Sequence, residues 1–145
     1  MGKYVERARE LHKNGYTCSQ AVLCAFVDLL EIDEKTAINI SCGFGGGLGK
    51  LRETCGAVSG MLMAAGLLYG EGAIDDDMKN KVYYPRVQYL CNQFRDINKS
   101  LSCAELLGVN GKTRVRPEGK TCGDMVADAA GILEAYIAEN PVPEK

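Results

Sequence analysis

The sequence predicts a compact all-α bundle of about six to seven helices around a buried, glycine- and alanine-rich central helix. Apolar residues recur at helical spacing along most of the chain, and no segment shows sustained alternation with β-branched residues. The 145 residues can bury a hydrophobic core without disulfide bonds. We therefore expect a single helical domain over residues 1–145, with a frayed tail at 140–145.

Three helices are expected in the N-terminal part of the chain. The first covers about residues 2–13 and ends at Asn14-Gly15, a dipeptide typical of helix termination. The second covers about residues 18–30 and the third about 34–42. The next segment, GFGGGLGK at 43–50, contains too many glycines to continue a helix. We expect it to let the backbone pass close to the following helix.

The fourth helix, at about residues 55–69, is apolar on almost every face, which favours a buried central position. Gly56, Gly60 and Ala64 recur at a spacing of four and allow another backbone to approach closely. The apolar run is shorter than the ~20 residues that a membrane span needs. The sequence thus predicts a core helix, and not an integral membrane protein.

The C-terminal half predicts three further helices. One covers about residues 76–99 and contains Pro85, which should kink or split it. A short helix follows at about 103–107, and a polar loop at 109–120 leads into the last helix at about 122–139.

Charge and cysteine content restrict the class of protein. The net charge of -2 does not indicate a nucleic-acid partner, and the polar, amphipathic N-terminus is unlike an apolar signal core. Seven cysteines are an odd number, which argues against a secreted disulfide framework. We expect a cytoplasmic protein with reduced thiols.

A hydroxyl residue precedes five of the seven cysteines, although Ser and Thr together are only ten of the 145 residues. Four of these pairs coincide with predicted helix starts: Thr17-Cys18, Thr54-Cys55, Ser102-Cys103 and Thr121-Cys122. Ser and Thr are favoured N-caps, so Cys18, Cys55, Cys103 and Cys122 are expected at the first helical position. Ser41-Cys42 lies at a helix end, and Cys24 and Cys91 lie within helices among apolar neighbours.

A helix start favours the thiolate, the form of cysteine that reacts and binds metals. This contribution is only about 0.3–1 kcal/mol, which is less than one pKa unit. Activation therefore requires a nearby cation or metal as well. Lys50 and Arg52 precede Cys55, and Lys120 precedes Cys122, but basic residues are frequent enough for this proximity to carry little weight.

The sequence resembles the redox-active family named for its C_GCAxxG_C_C pattern. The resemblance is carried by GYTCSQAVLCAF (15–26), GFGGGLGKLRETCGAVSG (43–60), SCAELLG (102–108) and the late Cys122. It implies that the shared cysteines are Cys18, Cys55, Cys103 and Cys122. The central motif, CGAVSG at 55–60, contains a single cysteine, so a vicinal pair is not expected. Genes of this family often lie beside transporter genes. The resemblance thus implies that the partner is a redox protein or a transporter.

Three interpretations remain open. The four cysteines could cycle between dithiol and disulfide, could ligate a metal or an iron–sulfur cluster, or could only pack in a helical partner of a transporter. The absence of C-x-x-C argues against a thioredoxin-type pair, and the absence of C-x-x-C-H argues against a c-type haem. The glycine segment lacks the Ser or Thr of a phosphate-binding loop. The single histidine, His12, is expected to pack, without a Cys–His pair.

Overall fold

The computed structural model describes residues 2–70 and 74–143, and within this part the protein is all-α, as predicted. The seven α-helices of five or more residues in these ranges are α1 (Lys3–Lys13), α2 (Cys18–Ala25), α3 (Glu34–Ser41), α4 (Gly56–Tyr69), α5 (Tyr84–Asn98), α6 (Cys103–Leu107) and α7 (Cys122–Glu139). No β-strand occurs in these residues, and Thr54 and Ser102 form an isolated antiparallel bridge. No helix among them is both long and apolar enough to cross a membrane.

The central helix is α4, as the sequence predicts. Its residues Val58, Met61 and Ala64 are fully buried, and it packs against α2, α5 and α7. Gly60 lies directly against α2, since a Cβ atom placed on it would be 2.5 Å from the carbonyl oxygen of Ser19. The small residues of α4 therefore set how closely the two helices approach.

Three of the four predicted helix starts are confirmed. Helices α2, α6 and α7 begin at Cys18, Cys103 and Cys122, because the preceding hydroxyl side chain accepts a hydrogen bond from a backbone N–H of the first turn. The fourth prediction is wrong by one residue. Cys55 is itself the N-cap, and α4 begins at Gly56.

Two predicted helices are interrupted. The helix expected over 18–30 ends at Ala25 and continues as a 3₁₀ turn, Val27–Leu29. The helix expected over 76–99 stays helical from Asp76 to Asn98, but a π-helical turn, Lys79–Tyr83, interrupts the regular α-helix just before Pro85. Proline has no N–H group to continue the α-helical hydrogen bonds, and irregular turns are common at such positions.

The predicted frayed tail is held at its beginning. The hydroxyl of Tyr69 donates a hydrogen bond to the carbonyl oxygen of Asn140 at 2.6 Å. Residues 144–145 of that tail lie outside the described residues.

Candidate functional site

One cavity of about 220 Å³ is lined by four cysteines, Cys18, Cys55, Cys103 and Cys122. These are the four residues that the sequence analysis selected. The other three lie elsewhere: Cys24 is buried in the core, Cys91 is half-buried on α5, and Cys42 is exposed after α3. All seven cysteines are free thiols. The structure thus brings together four thiols that are up to 104 residues apart in sequence, from Cys18 to Cys122.

Glycines allow the cysteine-bearing segments to meet. A Cβ atom on Gly56 would lie 3.3 Å from the Cβ of Cys18, and one on Gly47 would lie only 2.6 Å from the Cβ of Cys103. Gly46 and Gly47 adopt left-handed backbone conformations, with φ of 67° and 68°, which glycine accepts at little cost. The glycine segment therefore forms one wall of the cavity.

Cys55 and Cys103 are positioned by two paired stretches of backbone. The N–H of Cys55 donates to the carbonyl of Leu101 at 2.7 Å, and the N–H of Cys103 donates to the carbonyl of Glu53 at 2.6 Å. Between them lies the bridge of Thr54 with Ser102. Since side chains alternate along extended backbone, the two hydroxyl residues share one face and the two cysteines share the other. This pairing explains why Thr54 does not cap α4.

Cys18 and Cys122 line the same cavity, and their thiols perturb each other's pKa. The hydrogen bond from Cys18 lowers the pKa of Cys122 to about 5, with further stabilisation of the thiolate by Arg116 and His12 against the cost of burial. The Nη1 atom of Arg116 lies 3.8 Å from the Cys122 sulfur. The same hydrogen bond, together with burial, raises the pKa of Cys18. The two thiols therefore titrate as a pair, and Arg116 beside Cys122 favours the thiolate at that residue.

Cys55 shows that a helix start does not by itself activate a thiol. Burial raises its pKa to about 11, although the backbone amides of Ala57 and Val58 oppose the increase. Desolvation of the charged form outweighs the field of the helix at this position.

His12 was not predicted as part of the site, and the expectation that it has no cysteine partner is wrong. Its Nε2 atom lies 3.6 Å from the sulfur of Cys18. The sequence contained a signal for this contact. The short loop at 14–17 reverses the chain, so the last turn of α1 must lie beside the start of α2.

The sequence did not predict which cations lie beside the cysteines. Arg52 lies beside Cys103 and not beside Cys55, with its Nη1 atom 3.7 Å from the Cys103 sulfur. Lys120, the cation that immediately precedes Cys122, binds Asp128 instead. The cation at Cys122 is Arg116. Proximity in sequence was therefore a poor guide, because long cationic side chains reach across elements.

The four thiols face the same cavity. Among the residues described, no group of three or more His, Cys, Asp or Glu side chains is placed to hold a metal ion.

The low pKa of Cys122 leads to a testable pH dependence. The rate of alkylation of Cys122 by iodoacetamide is expected to be half-maximal near pH 5 and constant above it, since the thiolate is the reacting form. Arg116→Gln should move this midpoint to higher pH because it removes a cation beside the sulfur. Peptide mass spectrometry at a series of pH values measures the midpoint. Arg95→Gln, at an exposed position of α5, is the matched control and should not move it.

Fold and site together define a small helical thiol protein in which cysteines at helix starts face one cavity. The chain belongs to the family described as "Putative redox-active protein (C_GCAxxG_C_C)", whose model matches residues 16–136 and so includes all four of these cysteines. Searches of the curated proteins and of the solved structures found no significant match.

Proposed function

We propose that the protein is a thiol–disulfide redox protein in which Cys122 is the attacking thiolate and Cys18 is the resolving thiol. The observation that carries this proposal is that Cys18 and Cys122 line one cavity with Arg116 beside the Cys122 sulfur, and the pKa of Cys122 is lowered while that of Cys18 is raised. A thiolate beside a thiol is the arrangement that disulfide exchange requires.

The reaction proceeds in two exchange steps. The Cys122 thiolate attacks one sulfur of a substrate disulfide, forms a mixed disulfide, and releases the other half of the substrate as a thiolate. Cys18 then gives its proton to the first substrate thiolate and attacks the sulfur of Cys122. The second half of the substrate leaves as a thiolate. Two electrons pass from the protein to the substrate, and a dithiol reductant must restore Cys18 and Cys122.

This proposal places the protein in a reducing compartment such as the cytoplasm. The starting state needs both thiols reduced, and cytosolic dithiol reductants maintain that state. The partner in that case is the dithiol that regenerates the protein.

Mapping of the oxidised form tests the proposal. After oxidation with one equivalent of a small disulfide, we expect one intramolecular bond, between Cys18 and Cys122. Alkylation of the remaining thiols followed by peptide mass spectrometry identifies the bonded residues. Cys42→Ser, at an exposed position away from the cavity, is the control and should give the same bond. Recovery of both Cys18 and Cys122 as free thiols after oxidation would contradict the proposal.

A metal or iron–sulfur cluster is the second candidate, favoured by the presence of four thiols on one cavity. The sulfurs of Cys18, Cys55, Cys103 and Cys122 would be the ligands. Elemental analysis and a visible spectrum after anaerobic purification distinguish the candidates. A colourless, metal-free protein that forms the Cys18–Cys122 bond would contradict this alternative. Replacement of all four cysteines tests a third candidate, because full retention of function would favour a packing role beside a transporter.

A further inference from the structure

Two arginines line the cavity without a carboxylate partner in the described part of the chain. Among the described residues, the guanidinium groups of Arg52 and Arg116 have side-chain hydrogen-bond partners only in the sulfurs of Cys103 and Cys122, at 3.7 and 3.8 Å. The Nε atom of Arg116 is buried and makes no hydrogen bond with any described residue, although a buried donor is normally satisfied. Both side chains are half-buried, and each guanidinium carries five N–H donors in a geometry that suits a carboxylate or a similar anion.

The cavity has the size of a small molecule. Its volume of about 220 Å³ lies below the roughly 300–1,000 Å³ of sites for drug-sized ligands. Apart from the arginines, its walls are mainly apolar, with Leu106, Leu107 and Met125 beside the cysteines. Cys55 and Cys103 are only 6% and 8% exposed. A disulfide in the surface of a folded protein would not reach these two cysteines, whereas Cys18 and Cys122 are partly exposed at the same cavity.

We propose that the cavity binds a small disulfide that carries a carboxylate or a similar anionic group, which Arg52 and Arg116 hold while Cys122 attacks the adjacent sulfur. This inference rests on the proposed function and specifies its substrate class. The anion would take the free N–H donors of the two guanidinium groups, and the apolar walls would exclude water from the exchanging sulfurs.

The chemistry is the exchange described above, with an acidic substrate. The Cys122 thiolate forms a bond to one sulfur of the bound disulfide, and the bond between the two substrate sulfurs breaks. The first substrate thiolate leaves, and attack by Cys18 on Cys122 releases the second. The products are one Cys18–Cys122 disulfide and two small thiols, so two electrons have moved to the substrate.

Rates of oxidation of the reduced protein by three small disulfides test the inference. The probes are dithiodiglycolate, which is anionic, hydroxyethyl disulfide, which is neutral, and cystamine, which is cationic. Each rate is divided by the rate of the same disulfide with mercaptoethanol, which removes intrinsic reactivity. We expect the normalised rate for the anionic probe to exceed the normalised rate for the neutral probe by about tenfold or more. This is the effect expected when one charge-assisted hydrogen bond stabilises the bound anion.

Arg52→Gln provides the sharper measurement, because Arg52 contacts Cys103 and not the attacking sulfur. The variant should lower the ratio of anionic to neutral rates about tenfold, Arg52→Lys should restore part of it, and Arg95→Gln should leave it unchanged. Equal normalised rates for the three probes, or faster oxidation by a protein disulfide, would overturn the substrate class while the proposed function stood. Absence of any Cys18–Cys122 bond with all probes would instead overturn the proposed function.

Discussion

Replacement of Cys122 by serine is expected to slow oxidation of the protein by a small disulfide by at least about a hundredfold, since a neutral hydroxyl replaces the attacking thiolate. Cys18→Ser should behave differently. The first exchange step remains, but no resolving thiol follows it, so a mixed disulfide on Cys122 should accumulate. Intact-protein mass spectrometry would detect this species as the added mass of one half of the probe.

The pair of variants separates the two proposed roles. Cys91→Ser is the control, because Cys91 is half-buried on α5 and does not line the cavity. It should react as the unaltered protein does. If Cys18→Ser and Cys122→Ser both trapped the mixed disulfide, or if neither did, the assignment of attacking and resolving thiols would be wrong.

Gly60→Ala is expected to lower the free energy of unfolding by about 2–3 kcal/mol, the upper range for overpacking of a core. The added methyl carbon would lie 2.5 Å from the carbonyl oxygen of Ser19 and 3.1 Å from the Cβ of Val22, so α2 and α4 would have to separate. Gly66→Ala on the same helix is the matched control. Its Cβ would meet no atom within 4 Å, and alanine should raise stability by about 0.5–1 kcal/mol through helix propensity.

Urea denaturation of both variants measures this difference, and similar effects of the two substitutions would contradict the packing argument. A second readout connects packing with the site. Ser19 follows Cys18 at the start of α2, so displacement of α2 should weaken the contact of Cys18 with Cys122. In the folded Gly60→Ala variant, the pH midpoint for alkylation of Cys122 should therefore be higher than in the Gly66→Ala variant.

Most helix bounds could be predicted from the sequence because helix periodicity and N-caps are local. The starts at Cys18, Cys103 and Cys122 and the irregular turn before Pro85 all depend on residues within a few positions. Cys55 could not be placed in this way. Its preceding residue, Thr54, pairs with Ser102, a partner 48 positions away.

The charged side chains that contact the cysteines are harder to predict from the sequence. His12 was within reach of a sequence argument, since α1 and α2 form a hairpin with a short loop. The sequence could not show that Arg116, and not Lys120, contacts Cys122, because this depends on Asp128 binding the lysine. The sequence also could not show the contact of Arg52 with Cys103, which follows from the pairing of two distant backbone stretches.

Local sequence patterns are sufficient to predict an all-α chain with four cysteines at or next to helix starts, because both are properties of short segments. That these cysteines share one cavity, and that the pKa is lowered at Cys122 and not at Cys55, follows only from the three-dimensional fold. A helix start contributes only about 0.3–1 kcal/mol to a thiolate. The hydrogen bond from Cys18, the guanidinium of Arg116 and the degree of burial outweigh that contribution, and each depends on elements that are distant in sequence.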